Sequence, residues 1–339
     1  MDQLEIIDVT LRDGSNAINF QFDQHSTKGI LKGLDEAGIR FIDLGHGLGI
    51  GASEKSGKKA KLTDEAYHRI ARETVKNAHW GVLFQPKFGA FDDITKAANQ
   101  GAHFIRVATE IDKVKLGKDF IAFAKEKGLQ VHSCLMKAYA VDVEDYVERV
   151  KEVAAFGADI VVFMDSAGAM TPELTKHAIG EAVEKVDIPH GFHAHNNLDL
   201  AIGNLIAAIE SGATFIDCSL RGLGRSAGNG ATEIMTLILK KMGKNLHLDW
   251  KKLQDTAAKY VDPLKKDWGI SNLEMIFGYA GFHSSFEPIV DSALSDKAKA
   301  LIDKRDLIIK LCDREQINVN EKIAKEIIDE MMEYGNAVT

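Results

Sequence analysis

Short apolar runs alternate along this chain with longer stretches of helical period. The runs read LEIIDVT (4–10), FIDLG (41–45), WGVLF (80–84), HFIRVAT (103–109), LQVHSCL (129–135), DIVVFMD (159–165), HGFHAH (190–195) and TFIDCSL (214–220). Several are apolar at consecutive positions rather than alternate ones, the pattern of parallel strands covered on both faces. Between them lie crossover helices such as DVEDYVERVKEVAAFG (142–157), in which Val143, Tyr146, Val147, Val150 and Val153 or Ala154 form one apolar stripe and Gly157 marks the stop. Four helix-to-strand junctions, EAGIRFIDL, NQGAHFIRV, AFGADIVVF and ESGATFIDC, place a glycine two or three residues before a strand begins. Repetition of one β–α unit predicts an α/β fold, a closed (β/α)8 TIM barrel over residues 1–245, rather than an open doubly wound sheet.

Beyond about residue 245 the strand signals stop. Residues 249–339 read as a helical C-terminal domain packed on the barrel, with Pro263 and Pro288 as breaks and Ile323, Ile327, Ile328, Met331 and Met332 on one face of the last helix. The stretch GIGASEKSGKKAKLT (49–63), rich in glycine, serine and lysine, is expected to form a mobile loop over the barrel mouth.

A formal net charge of −8 without a Lys/Arg block argues against nucleic acid or anionic lipid as partner and for small-molecule chemistry. Cys134, Cys218 and Cys312 lie far apart with no CxxC pair, so neither a disulfide framework nor a thiolate zinc site is expected; Cys134 and Cys218 fall inside strands and read as buried apolar residues. With no long apolar run, a cytoplasmic location off the membrane is the expectation.

In such a barrel the chemistry sits where strands end in loops, so polar residues at strand C-termini carry the most weight. They are Asp8, Arg12 and Asp13 after the first run, His46 after the second, Asp165 and Ser166 after the sixth, and His193 with His195 on the seventh. Two imidazoles at i and i+2 on a strand share a face, which in a barrel is the interior. With Asp13 they make a 2-His-1-carboxylate set suited to a divalent ion; the alternative is an unremarkable HxH pair. Asn196, Asn197 and Asn229 are candidates to ligate the ion or orient its ligands, or, for the first two, to cap the following helix. Arg12 could clamp a carboxylate or neutralise an enolate oxygen, or simply pair with Asp8 or another acid. The glycine-rich RGLGRSAGNG (221–230) offers backbone N–H groups to an anion.

DVTLRDG, GHGLG, FMDSAGAM, HAHNNLDLAIGN, SLRGLGRSAGN and GYAGFHSSF occur in the order and spacing of the 4-hydroxy-2-oxovalerate aldolase family, which the chain resembles over nearly its whole length. It is more distantly similar to 2-isopropylmalate synthase and hydroxymethylglutaryl-CoA lyase. The resemblance implies a class II pyruvate aldolase that interconverts 4-hydroxy-2-oxoacids with pyruvate and a short aldehyde. It further implies that Asp13, His193 and His195 bind a divalent metal, most often Mn2+ with Mg2+, Co2+ or Zn2+ as alternatives. Arg12 would stabilise the pyruvate enolate, and Ser166 would hold the substrate carboxylate. Asn16 and His46 are further candidates to bind substrate. The implied partners are a small 2-oxo acid, an aldehyde and an acylating aldehyde dehydrogenase docked largely through the C-terminal region of an oligomer.

Two positions depart from the family pattern. Where relatives read RDGxHA the chain has Asn16, and where they carry a tyrosine in GYAGVYSSF it has His283. Asn16 cannot transfer a proton near neutral pH, so His283 is the candidate catalytic base, against the alternative of a packing histidine between the two domains. Two other functions fit the residues less well: an acyl-CoA Claisen condensation, and a weakly active barrel kept as the partner of a dehydrogenase.

Overall fold

The computed structural model describes residues 4–244, 246–264 and 269–338. Eight strands form a closed parallel barrel in sequence order, with the last pairing back onto the first. They are β1 (Glu5–Asp8), β2 (Phe41–Leu44), β3 (His79–Phe84), β4 (Phe104–Glu110), β5 (Gln130–Met136), β6 (Ile160–Asp165), β7 (His190–Ala194) and β8 (Phe215–Cys218). Each coincides with one of the eight apolar runs. The helix Val143–Ala155 buries Tyr146, Val147, Val150 and Val153 as its stripe requires, starts at an Asp142 side chain that accepts from the Asp145 N–H, and ends at Gly157 with φ +98°.

The barrel interior is layered because side chains alternate along a strand with period two. Near the strand N-termini, Phe41, Phe104, His132 and Phe215 meet ring to ring, His132 stacked on Phe104 at 4.8 Å. Two residues further along β2, β4 and β8 the same inward face carries Asp43, Arg106 and Asp217, each 1% exposed or less. Beyond those charges lies the barrel mouth.

The helical region expected from 249 divides in its packing. The helix Trp250–Tyr260 contributes Leu253 and Ala257, and the next residue Val261, to the core that surrounds the barrel, whereas a second apolar cluster runs from Phe277 to Ile328, with Leu273, Ile323, Met331 and Met332 against it. Pro288 stands in the first turn of the helix Glu287–Ala293, where its missing N–H costs nothing, so it starts a helix rather than breaking one. Among the described residues, no helix is long and apolar enough to cross a membrane.

The second cluster reaches the barrel mouth through the helix Asn272–Ala280. A Cβ on Gly278 would stand 2.8 Å from the Leu198 side chain and 2.9 Å from that of Asn197, so only glycine permits this approach. Asn197 fixes it from the other side, its amide donating to the Glu274 carbonyl and carboxylate. Gly278→Val is therefore expected to cost about 1–3 kcal/mol by overpacking. Gly180→Ala, in the helix Pro172–Lys185 with open space around it, should be neutral or stabilise by up to about 1 kcal/mol. Urea unfolding of the two variants checks both.

Candidate metal centre and active site

β1 runs into a tight turn in which the N–H groups of Arg12 and Asp13 donate to the Val9 carbonyl, which sets both side chains over the barrel mouth. β7 brings His193 and His195 to the same place, and the ligand atoms of Asp13, His193 and His195 all lie within 4.8 Å of one another, every residue buried. The two rings have matching tautomers. His193 Nδ1 donates to Asp217 Oδ2 at 2.8 Å, and His195 Nδ1 lies 3.1 and 3.2 Å from the carbonyls of Arg225 and Gly228, which can only accept. Both Nε2 atoms are thus left with lone pairs, 3.4 Å apart. His195 Nε2 takes the Arg225 guanidinium at 3.1 Å, and His193 Nε2 is left facing it; two lone pairs cannot hydrogen-bond to each other, whereas a cation beside Asp13 accepts both, so the donor set fits a divalent metal.

Asp13 is held by more than Arg12. Its Oδ2 accepts from the Asn229 amide at 3.0 Å and from the Arg225 backbone N–H at 3.1 Å, while Oδ1 receives Arg12 Nη1 at 2.7 Å. The anion gripped by the glycine-rich loop is therefore the protein's own carboxylate. Gly224 makes this possible, since a Cβ there would fall 2.4 Å from the Asn229 amide. Burial opposes ionisation of Asp13, but Arg12 first, then His195, His193 and Arg225, keep its carboxyl well below the usual range.

Behind these groups runs a chain of buried charges. Arg12 Nε donates to Asp43 Oδ2 at 2.9 Å; Arg106 bridges Asp43 at 3.0 Å and Asp217 at 2.6 Å; and Asp217 reaches His193. Asp217 is pulled down to about 2, Arg106 and the His193 contact outweighing desolvation. Sequence reasoning passed over Asp43, Arg106 and Asp217. The available signal was a charge inside an otherwise apolar strand, as in FIDLG, FIRVAT and FIDC.

Around the centre opens a cavity of about 1490 Å³ lined by Arg12, Asp13, Asn16, Ser166, His195 and His283 together. Asn16 donates to the Asp13 carbonyl at 3.0 Å, and Ser166 Oγ accepts from the Lys137 N–H at 3.1 Å. His283 comes from the second apolar cluster; its Nδ1 lies 2.6 Å from Ser285 Oγ and 3.5 Å from Arg225, and burial, then Arg225 and Lys137, hold it neutral well below the ordinary histidine range. His46 is not brought into the cavity. It stacks on Phe20 at 4.1 Å, receives the Leu48 N–H on Nδ1 and donates Nε2–H to the Lys58 carbonyl, so both nitrogens are spent on backbone groups. That segment lies at the mouth as expected, with a helical turn at Ala52–Lys55.

Asp8 and Asp165 also stay out of the centre. Asp8 accepts from the Thr10 N–H and the Thr232 hydroxyl, and Asp165 from the N–H groups of Ala169 and Met170; burial raises them to about 6 and about 7. Asn196 accepts from the Ala201 N–H and so serves the following helix. The three cysteines are free and buried, so no disulfide joins them. Lys137, which sequence reasoning did not single out, lines the cavity just past β5 with its ammonium on Glu110 and the Ile317 carbonyl.

A model of the HMGL-like family matches residues 3–259. The chain belongs to the HMGL-like family. The 4-hydroxy-2-oxovalerate aldolase of Carboxydothermus hydrogenoformans is 41% identical over 310 residues, 91% of each chain. That of Moorella thermoacetica is 37% identical over 325 residues, 96% of this chain and 95% of its own. The chain thus groups with aldolases, enzymes that make and break carbon–carbon bonds. In three dimensions this HMGL-like barrel is similar to the carboxyl transferase domain of Rhizobium etli pyruvate carboxylase, with a TM-score of 0.77 over 98% of this chain and 62% of that one; at 15% identity this likeness bears on the fold alone.

Asp217→Asn tests the buried chain in two ways. Removing the carboxylate that orients His193 is expected to weaken Mn2+ binding by about 10–100-fold in a metal titration. Because the folded state depresses the Asp217 pKa from 3.8 to about 2, its ionisation stabilises the fold above about pH 4, and that contribution is lost as the pH falls towards 2. The stability gap between wild type and Asp217→Asn should therefore narrow from pH 6 to pH 3, read by urea unfolding at each pH.

Proposed function

We propose that this chain is a divalent-metal-dependent aldolase that forms and cleaves 4-hydroxy-2-oxoacids, with pyruvate as the 2-oxo acid and a short aldehyde as its partner, as in 4-hydroxy-2-oxovalerate to pyruvate and acetaldehyde. The observation that carries it is the pair of facing Nε2 lone pairs beside Asp13, in one cavity with Arg12 and Ser166. Asp13, His193 and His195 would hold the ion, Mn2+ by the family resemblance, which when bound supplies Lewis-acid polarisation of the 2-oxo carbonyl. Arg12 has Nε on Asp43 and Nη1 on Asp13, while its buried Nη2 has no partner and is available to an enolate oxygen. Ser166 and Asn16 line the carboxylate side of the cavity. His283 takes the proton from the C4 hydroxyl on cleavage: its Nδ1 receives the Ser285 N–H at 3.2 Å and is therefore the acceptor nitrogen, and Ser285 Oγ, 2.6 Å from it and on the cavity wall, can relay the proton to it.

The barrel is the catalytic unit, and the C-terminal helices carry the contact with an acylating aldehyde dehydrogenase. Support for a docking face comes from Ile270, Met275 and Tyr279, which stand 43%, 45% and 71% exposed on and just before the helix Asn272–Ala280. Three free thiols favour a cytoplasmic setting.

Chelation should abolish aldol cleavage, and Mn2+, Co2+ or Mg2+ should restore it. Borohydride with pyruvate should not inactivate the enzyme, since the Lys137 ammonium is held by Glu110. Arg12→Ala should remove both aldol cleavage and oxaloacetate decarboxylation, which share the enolate; full activity of Arg12→Ala would reduce that residue to an ion pair.

His283→Asn separates proton transfer from enolate stabilisation. Aldol cleavage should fall by about 10²-fold or more while oxaloacetate decarboxylation, which deprotonates no hydroxyl, largely survives. Equal losses in both reactions would place His283 in substrate positioning instead.

A further inference from the structure

The cavity is charged in the opposite sense to the protein. Eight of its lining side chains are cations and only two, Asp13 and Glu110, are acids, in a chain whose formal net charge is −8. Glu110 is consumed by Lys113 and Lys137, and Asp13 by Arg12. Among the described residues no carboxylate oxygen lies within 4.0 Å of the charged side-chain nitrogens of Lys58, Lys59, Lys87 or Arg225; the Arg225 guanidinium instead donates to the Ser284 hydroxyl at 2.9 Å and the Ser166 carbonyl at 3.0 Å and approaches His195 Nε2 at 3.1 Å, and only its backbone N–H reaches Asp13. A surface lysine without a partner is ordinary. Three in the lining of one cavity, backed by a partly buried guanidinium without a salt bridge, form a concave field of one sign.

The loop that carries two of these lysines is built into place. His46 Nε2 donates to the Lys58 carbonyl at 2.7 Å, Ala60 N–H donates to Ser53 Oγ at 3.0 Å, and Lys61 N–H donates to the Phe20 carbonyl at 3.1 Å. His46, stacked on Phe20, is thus a positioning residue for the cationic rim. Pyruvate brings one negative charge, for which Arg12 and Ser166 suffice, and a cavity of about 1490 Å³ is several times what pyruvate and acetaldehyde fill.

We propose that the aldehyde this site takes carries an anionic terminal group, a phosphate monoester or a carboxylate, held at the cavity mouth by Lys58, Lys59 and Lys87. This rests on the aldolase reading above and narrows its short aldehyde, for which the neutral acetaldehyde stood as the example, to an anionic one. In the forward direction the pyruvate enolate carbon adds to the aldehyde carbonyl carbon. The carbonyl π pair moves to its oxygen, that oxygen takes a proton, and the product is a 4-hydroxy-2-oxoacid with the anionic group at its far end. Arg225 supplies the additional buried positive charge that a doubly anionic pair of substrates needs.

The test condenses pyruvate with matched aldehydes on the Mn2+-loaded full-length enzyme: glyceraldehyde against glyceraldehyde 3-phosphate, and butyraldehyde against succinic semialdehyde. At least one charged member is expected to exceed its neutral match by about 100-fold in kcat/KM, mostly through KM, and which pair responds identifies the anion. That preference should shrink with rising salt and fall to within about threefold in Lys58→Glu/Lys59→Glu. Equal turnover of charged and neutral aldehydes overturns the proposal. So does release of free thiol from acetyl-CoA with a 2-oxo acid, which would assign the lysines to the coenzyme's phosphates. Metal-dependent exchange of the pyruvate methyl protons into D2O, followed by NMR, separates the two levels: exchange without any anion preference sinks the substrate class alone, whereas no exchange and no condensation sinks the aldolase reading with it.

Discussion

Everything at the mouth of this barrel depends on an alternating line of buried charges, Asp13, Arg12, Asp43, Arg106, Asp217 and His193, drawn from five strands or strand ends. Removing these groups from water is expensive, and a hydrophobic filling of the same volume would serve stability as well or better. What the line provides is orientation. Arg106 sets Asp217, Asp217 sets the tautomer of His193, and Asp43 sets the plane of Arg12, so the centre is aligned before any ligand arrives. Within the line three carboxylates face two guanidiniums, and the remaining negative charge lies beside the two imidazole lone pairs.

The same economy explains why two aspartates at strand ends take no part. Asp8 and Asp165 each accept backbone or hydroxyl hydrogen bonds that close a β–α turn, and their raised pKa values follow from burial without a cation nearby. A carboxylate at the C-terminal end of a barrel strand is therefore a site residue only when a guanidinium or an imidazole stands opposite it. His46 makes the parallel point for histidine, since both its nitrogens are spent on backbone groups.

The second apolar cluster completes the site from outside the barrel. The close approach at Gly278 and the Asn197 clamp on Glu274 bring His283 and Ser284 over Arg225, so one wall of the cavity belongs to the C-terminal helices and the other, with Asp13 and His195, to the barrel. Asn16 belongs to the barrel wall, its amide on the Asp13 carbonyl, and His283 to the helical one.

Eight strands, their order, the helix stripes and the convergence of Asp13, His193 and His195 were legible in the sequence, because periodicity and strand-end position are local properties and barrel closure turns them directly into a place. The departures at Asn16 and His283 were legible too, as breaks in a motif. Only the tertiary structure decided which charges meet. FIDLG, FIRVAT and FIDC each show a charge in an apolar strand, but the pairing of Asp43 with Arg106 spans 63 residues and that of Arg106 with Asp217 spans 111. The strand pattern fixes that these side chains point inward without fixing their neighbours. Likewise Lys58 and Lys59 read as part of a polar loop until closure set them beside Lys87 in the lining of one cavity, where like charges without salt bridges acquire a meaning that their spacing along the chain does not carry.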